Sequence, residues 1–507
     1  MPSIASASIV LLIQKLRSIH ARVSASSVAR RTGATTGVNA LGDLQLKLCD
    51  VLTRFLAKTC AEVREIDEAE ALLDVSKVSR AAELLSRLTR FTGSEDAVGP
   101  PQGTVLPFTD LVRSVAPNAA VIVRCQSAYE YESYFEIRKI LEDAVPTELV
   151  RETFLGFPQG IYVLNIPVVE ARNILHHCLL GHEVGHIAFL RNKLEGIPTD
   201  LLNTDPARSE FDSAFSEYEA EQGGLEIDLF RTWVSKIISN WFKELASDLF
   251  AANIMGPCIF FALRDFALPL FPLDFTPGDP SVALEYPPLC RRFKLMLETI
   301  MPFLKREGVN STEPVNHGQI LDELRADAEE WKTTASELGV KLPQPYRFVG
   351  RVVDECLTRV QDDISASRPR YFYDPSTFRE EVFDLYERID EDILPNELLL
   401  PGEGPKIGRP PHWQSILNAA WIYYLLSPKE RFGVFKDWSK KSEGGSALGP
   451  SRGTTEKMTE LRYERLMEFN DFISRAVEVS IFHDSFQKNK AQWGDLFSDP
   501  GKRRHTG

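Results

Sequence analysis

The sequence predicts a mainly α-helical protein that contains a small β-sheet. Apolar residues recur at helical spacing through most of the chain, as in the stretch from Leu41 to Phe91. Two short runs, at 119–125 and 160–167, are instead rich in β-branched residues and bounded by Pro or Gly. We therefore expect long stretches of helix around a sheet of few strands.

The composition narrows the class of protein. A chain of 507 residues can bury a large core and is long enough for roughly two to four domains. Its 58 Lys and Arg against 72 Asp and Glu give a formal charge of −14, which argues against a general nucleic-acid or anionic-membrane surface. No run approaches the about 18 apolar residues of a membrane-spanning helix. The run Ile9 to Ile13 is too short for a signal peptide, so we expect a cytoplasmic protein.

The seven cysteines are scattered and odd in number, and no Cys-x-x-Cys pair occurs among them. This distribution predicts reduced core residues and argues against a disulfide framework or a zinc knuckle. Cys178 stands four residues before His182, on the same face of a predicted helix. A small buried side chain and a role near that histidine are both compatible with its position.

The chain divides by composition into four predicted regions. Residues 1–38 begin as a short amphipathic helix and continue as a Ser-, Ala- and Arg-rich stretch that we expect to be flexible. Residues 39–114 form an N-terminal helical region, with a helical hairpin at 41–91 and a Gly- and Pro-rich linker at 92–108.

The third region, 115–305, is the predicted core of the protein. It contains the two strand-like runs, a helix at 131–145 between them, an acidic irregular stretch at 192–227 and a long helix at 228–263 that breaks near Gly256-Pro257. The fourth region, 306–507, is helical and ends in a disordered tail at 500–507. Its predicted helices are Ile320–Leu338, Phe348–Ile364, Phe378–Ile389, Trp413–Leu426 and Thr455–Phe482.

The motif that indicates a chemical function is His182-Glu183-x-x-His186. Residues four apart lie one turn apart on the same face of a helix. Two neutral imidazoles placed in this way can bind one zinc ion, and Glu183 can reach a water molecule on that ion. The pKa of such a water falls to about 7, so that a carboxylate can take its proton as the water attacks a carbonyl.

The surroundings of the motif predict a buried helix. From Asn173 to Leu190, Glu183 is the only charged side chain apart from any charge on the histidines. Burying a lone carboxylate is costly unless something such as a metal compensates it. Gly185 costs about 1 kcal/mol in a helix interior, which indicates that something passes close to the backbone there. The alternative is a core helix whose histidines are satisfied by ordinary hydrogen bonds.

A catalytic zinc ion takes three protein ligands and keeps one position open for water. Glu244 and Asp248 lie four apart on a predicted helix whose other residues nearby are apolar. One carboxylate can complete the zinc ligands, and the other can accept the second ring N–H of a ligand histidine. The alternatives are a solvated acidic pair, or a third ligand from an acidic residue before this helix, namely Glu217, Glu219 or Glu221.

His182-Glu183-x-x-His186 followed by Glu244-x-x-x-Asp248 resembles the gluzincin class of zinc peptidases, which includes thermolysin. The resemblance implies an α+β zincin-like catalytic core with zinc bound by His182, His186 and Glu244. It also implies that Asp248 orients the first histidine. The likeness extends over about 160–295, less than half of the chain.

The segment Tyr286-Pro-Pro-Leu-Cys-Arg-Arg292 is similar to the His-Pro-Pro-x-x-x-Arg segment of the HtpX-like and CAAX-prenyl-protease gluzincins. Tyr286 stands where that segment has His, and the membrane spans of those proteases are missing. Tyr286 can donate a hydrogen bond to a developing oxyanion, or it can be a simple turn residue. Arg292 matches the segment's Arg and is expected to be a structural ion-pair partner.

These observations predict a zinc metallopeptidase that acts on a peptide or protein substrate, with Glu183 as the general base. The large helical flanks favour a restricted protein substrate. Two other functions remain open: a zinc-binding interaction protein without turnover, and a zinc hydrolase of a non-peptide amide. We expect no nucleic-acid partner and no membrane span, and the sequence does not indicate an oligomeric state.

Overall fold

The protein is mainly helical with one small β-sheet, as the sequence predicts. A computed structural model describes residues 4–30, 36–62, 68–92, 99–134, 137–158, 160–222, 226–270, 286–305, 317–339, 342–398, 408–426 and 452–497. The chain forms two compact units. The first comprises residues 1–100 and 109–171, and the second comprises 101–108 and 172–507.

Three long helices and the sheet share the core of the first unit. The helices are α1 (Ile4–Arg30), α2 (Thr36–Glu62) and α3 (Glu68–Thr92). The predicted flexible segment 1–38 is therefore largely helical. Apolar side chains in the first part of α1 recur at helical spacing and are buried in the core cluster of this unit: Ile9, Leu12, Leu16, Ile19 and Val23.

The sheet has three strands in the order β1-β3-β2, with β1 (Ala120–Gln126), β2 (Glu132–Tyr134) and β3 (Ile161–Pro167). β1 runs parallel to β3, with Ala120 opposite Ile161. β2 runs antiparallel to β3, with Glu132 opposite Asn165. The two predicted strands are thus present, whereas the helix expected at 131–145 begins only at Ile137 because β2 precedes it. The unit also contains α5 (Ile137–Ala144), α6 (Thr147–Phe154) and the second half of α4 (Gln102–Val115).

The second unit is built on two buried helices, α7 (Leu180–Arg191) and α10 (Ile227–Met255), which form its most extensive helix–helix contact. The predicted break at Gly256-Pro257 is confirmed, because α11 (Cys258–Ala267) follows as a separate helix. Gly256 adopts a φ of +70°, which favours glycine. Asn418 joins the two helix ends: its side chain accepts from Cys258 N and donates to Met255 O.

The acidic stretch 192–227 is largely helical where the structure describes it, contrary to the prediction of an irregular segment. It contains α8 (Ile197–Leu202) and α9 (Asp205–Gln222). Phe211, Phe215 and Tyr218 of α9 all contact the ring of Phe230 on α10, which explains why the segment folds as a helix. Its carboxylates lie on the opposite, exposed face, and this agrees with a solvated surface: Glu210, Asp212, Glu217, Glu219 and Glu221.

In the part of the chain that the structure describes, the remaining six helices are α12 (Leu289–Ile300), α13 (His317–Gly339), α14 (Tyr346–Ala366), α15 (Pro375–Asp390), α16 (Trp413–Leu426) and α17 (Arg452–Phe497). Four of these six helices agree closely with the predicted ones, whereas α12 was not predicted and α17 extends 15 residues beyond its predicted end at Phe482. The tail 500–507 lies outside the described residues. None of the helices in the described ranges is both long and apolar enough to cross a membrane.

A buried carboxylate connects α15 to the start of α16. Glu381 is inaccessible to solvent and accepts hydrogen bonds from Arg409 Nη1 at 2.6 Å, His412 N at 2.8 Å and Ser415 Oγ at 2.7 Å. His412 Nδ1 lies 3.0 Å from the same carboxylate. Burial alone would raise the pKa of Glu381, but these donors hold it below its usual value.

Candidate metal centre

The helix that carries the His-Glu-x-x-His motif is buried along most of its length. A short 3-10 helix, His176–Leu179, leads into α7, and every residue from Leu180 to Phe189 is buried. The residues His182, Glu183 and His186 are only 9%, 6% and 7% exposed. Polar groups buried to this degree require partners, so the neighbours of these side chains define the site.

The partners come from α10, which approaches α7 at two glycines. A Cβ atom on Gly185 would stand 2.9 Å from the Cα of Ser247 and would overlap the Ser247 carbonyl oxygen. A Cβ atom on Gly181 would meet the side chain of Met255. The inference that something passes close to the backbone at Gly185 is therefore confirmed, and the neighbour is the backbone of α10.

Glu244 of α10 lies between the two histidines of the motif. Its Oε2 atom is 3.3 Å from His182 Nε2, and its Oε1 atom is 3.5 Å from His186 Nε2. The two imidazole rings stand 4.6 Å apart at nearly a right angle, with an interplanar angle of 79°. One carboxylate and two Nε2 atoms thus converge on one point, and Glu244 itself is only 7% exposed.

The other ring nitrogens of the histidines each meet an acceptor from the next turn of α10. Asp248 Oδ1 lies 2.7 Å from His182 Nδ1, and Ser247 Oγ lies 2.7 Å from His186 Nδ1. A carboxylate can only accept, so His182 donates its Nδ1 hydrogen to Asp248 and leaves Nε2 facing Glu244. This is the orientation that a metal-binding histidine needs.

Arg292 of α12 neutralises Asp248. Its Nε atom donates to Asp248 Oδ2 and its Nη2 atom donates to Asp248 Oδ1, both at 2.7 Å. This is the bidentate geometry of an Arg–carboxylate pair. Asp248 is completely buried, and the Arg292 side chain is 14% exposed. Arg292 is thus an ion-pair partner, as the sequence indicated.

The pKa values of the two motif histidines are shifted in opposite directions in the metal-free protein. Burial alone would lower the pKa of His182, but Asp248 and Glu244 raise it to about 9. Burial and the neighbouring His182 lower the pKa of His186 to about 3. Burial would raise the pKa of Glu244, whereas the two histidines lower it, and Asp248 is held ionised against burial chiefly by Arg292. His186 is therefore neutral at neutral pH beside an ionised carboxylate.

The donor set fits a divalent cation with nitrogen and oxygen ligands. With bonds of about 2.1 Å, two ligand atoms of a tetrahedral zinc ion lie about 3.4 Å apart, close to the observed Nε2–carboxylate distances of 3.3 and 3.5 Å. Neutral His186 presents the lone pair of its Nε2 atom to an oxygen of Glu244, and no hydrogen lies between these two acceptor atoms. A cation at this point would bind both. Within the described residues, the one group whose ligand atoms all lie within 4.8 Å of each other is His182, Glu183 and His186. Glu244 is not in this group, and its two oxygen atoms each face a different histidine.

The other predicted residues are placed as follows. Tyr286 is 51% exposed and stands just before α12, the helix that carries Arg292. Glu217, Glu219 and Glu221 lie on the exposed face of α9, and Glu217 accepts from Gln344. Cys178 is fully buried beside Cys258, as expected of a small core residue.

Ser247 is the contact that the sequence analysis missed. It stands three residues after Glu244, so helical spacing alone puts it on the side of α10 that faces α7. That spacing was a usable signal, but a serine in a helix more often bonds its own backbone.

Comparisons of the chain with protein-family models, with curated proteins and with solved structures found no match. The likeness to gluzincins therefore depends on the motif residues and stays a prediction.

Proposed function

We propose that the protein is a zinc-dependent metallopeptidase. The observation that carries the proposal is the convergence of His182 Nε2, His186 Nε2 and the Glu244 carboxylate at 3.3 and 3.5 Å, with an acceptor at each Nδ1 atom. In this assignment the three converging side chains bind zinc, and Asp248 orients His182. All seven cysteines are free, which supports a cytoplasmic location.

Zinc in such a site acts as a Lewis acid that lowers the pKa of water and polarises a carbonyl. Glu183 is the carboxylate left over after the ligands are assigned, and it is buried beside both histidines. We assign it to take the proton of the attacking water and to pass a proton to the leaving amine. Tyr286 is assigned as a hydrogen-bond donor to the oxyanion that develops on the peptide carbonyl.

The test is cleavage of a diverse peptide mixture, followed by mass spectrometry, with zinc content measured in each sample. Wild type should cut peptides, and Glu183→Gln should bind zinc but cut at least about 100-fold more slowly. Glu244→Ala should lose zinc, whereas Glu219→Ala, which removes an exposed carboxylate of α9, should keep it. Full zinc content in Glu244→Ala would remove Glu244 from the ligand set.

One observation favours a second candidate. The residues His182, Glu183, His186 and Glu244 are each no more than 9% exposed, so a large substrate has little direct access to them. A zinc hydrolase of a small non-peptide amide would use the same residues behind a narrow entrance. A wild-type protein that binds zinc, cuts no peptide and hydrolyses small amides in a Glu183-dependent way would favour this function. Zinc without any turnover would favour the interaction protein.

A further inference from the structure

The hydroxyl of Ser247 lies against the ring of His186 and is completely buried. Ser247 Oγ is 2.7 Å from His186 Nδ1 and 2.8 Å from the backbone carbonyl oxygen of Lys243. Both distances are hydrogen-bond lengths. Neither of the two zinc motifs assigns a role to this serine.

The two contacts together fix the direction of each hydrogen bond. A hydroxyl has one hydrogen and a carbonyl oxygen can only accept, so Ser247 donates to Lys243 O. Ser247 Oγ must then accept the hydrogen of His186 Nδ1. The neutral ring of His186 consequently carries its hydrogen on Nδ1 and turns the lone pair of Nε2 toward Glu244, 3.5 Å away.

We propose that Ser247 is a positioning residue of the metal centre, whose hydroxyl fixes the tautomer and the orientation of His186. The inference rests on the metal-binding part of the proposed function and does not require that the protein cleave peptides. An acceptor at the second ring nitrogen holds a ligand histidine in place and raises its basicity. Its loss costs about 10- to 100-fold in metal affinity.

The two histidines are supported by acceptors of different charge. His182 donates to a carboxylate that Arg292 holds in place, whereas His186 donates to a neutral hydroxyl. The backbone of Ser247 packs closely against Gly185. The Ser247 hydroxyl can therefore move away from His186 only if α10 as a whole shifts.

The experiment measures zinc affinity of the full chain by competition with a chelator, in wild type, Ser247→Ala and Ser247→Thr. Ser336→Ala is the matched control, because Ser336 Oγ makes the same 2.8 Å bond to the carbonyl of a lysine four residues earlier, Lys332, on α13. The visible spectrum of the Co²⁺-loaded proteins reports the ligand geometry. Unfolding of the metal-free proteins reports any structural loss.

We expect Ser247→Ala to bind zinc about 10- to 100-fold more weakly and to shift the Co²⁺ bands. Its metal-free form should still unfold cooperatively, but at lower denaturant than Ser336→Ala, because loss of the hydroxyl removes an acceptor from a buried ring nitrogen. Ser247→Thr, which keeps the hydroxyl, should recover most of the affinity. Zinc binding by Ser247→Ala within twofold of wild type would overturn the proposal, and so would an equal loss in the Ala and Thr variants. Wild type that binds zinc without cleaving peptides would remove only the peptidase proposal, whereas absence of zinc binding would remove both.

Discussion

The backbone of Gly185 touches the backbone of Ser247, and a methyl group on Gly185 would stand 2.9 Å from the Ser247 Cα. This contact sets the distance between the helix that carries the histidines and the helix that carries their partners. We predict that Gly185→Ala separates α7 from α10, costs about 1–3 kcal/mol of stability and weakens zinc binding. Urea unfolding and chelator competition measure the two effects.

Gly196 provides the control for that substitution, because a Cβ atom there meets nothing within 4 Å and its φ is −77°. Gly196→Ala should change stability by less than about 0.5 kcal/mol and leave zinc affinity unchanged. Equal effects of the two variants would show that the close helix approach does not set the geometry of the centre.

Two adjacent arginines should differ sharply in their contribution to stability. Arg292 pairs with Asp248, whose side chain is fully buried, whereas Arg291 pairs with Asp354, whose side chain is 60% exposed. Arg292→Met leaves a buried charge without its partner and should cost about 3–5 kcal/mol. Arg291→Met should cost about 1 kcal/mol. Denaturant unfolding of both variants checks the difference, and similar losses would contradict it.

Metal removal should lower the stability of the protein, because a metal that binds only the folded chain shifts the folding equilibrium. Free zinc at 100 times its dissociation constant should raise the free energy of unfolding by about 2.7 kcal/mol. A chelator should reverse this gain in wild type and have no effect on Glu244→Ala. Thermal unfolding with and without chelator gives the comparison, and identical curves for wild type would argue against a metal centre.

The buried Glu381 should make the protein sensitive to acid. Its pKa is lowered by folding from the ordinary value of 4.5, so its contribution to stability is complete above pH 4.5 and is lost as the pH falls through the lower, folded-state value. We predict that wild type exceeds Glu381→Gln in free energy of unfolding from about pH 7 to about pH 5. The difference should shrink below that range.

Urea titrations at several pH values measure this difference. Glu380→Gln, which changes the exposed neighbouring carboxylate, is the control and should stay within about 0.5 kcal/mol of wild type. A difference between wild type and Glu381→Gln that does not change with pH would contradict the prediction.

The sequence alone was sufficient to locate the charged residues of the candidate site, because a charged residue is easily recognised among apolar neighbours. Glu244 and Asp248 are conspicuous because they interrupt an apolar helix, and the structure places both within hydrogen-bond or ligand distance of the motif histidines. Ser247 was not conspicuous, because a helical serine carries no charge and tolerates many environments. Its role depends on which ring atom it faces, and that is a property of tertiary packing.

Local composition was misleading in one other place. The abundance of carboxylates in α9 conceals the apolar spacing of Phe211, Phe215 and Tyr218, so the segment was predicted to be irregular. The boundary between the two compact units falls at 171/172, inside the predicted core 115–305. No linker composition marks it, since β3 passes through short 3-10 turns into α7.

One turn of α10 supplies Glu244 and the acceptors for both histidines, so the whole arrangement depends on how that helix is aligned with α7. A slip of one residue along the helix corresponds to a rotation of about 100° and would withdraw all three groups together. A metal ion can then be captured only by molecules in which the two helices have found their native register. Metal uptake during refolding would consequently measure the fraction of chains in which α7 and α10 are correctly aligned. It would distinguish them from chains that have formed helix without this alignment.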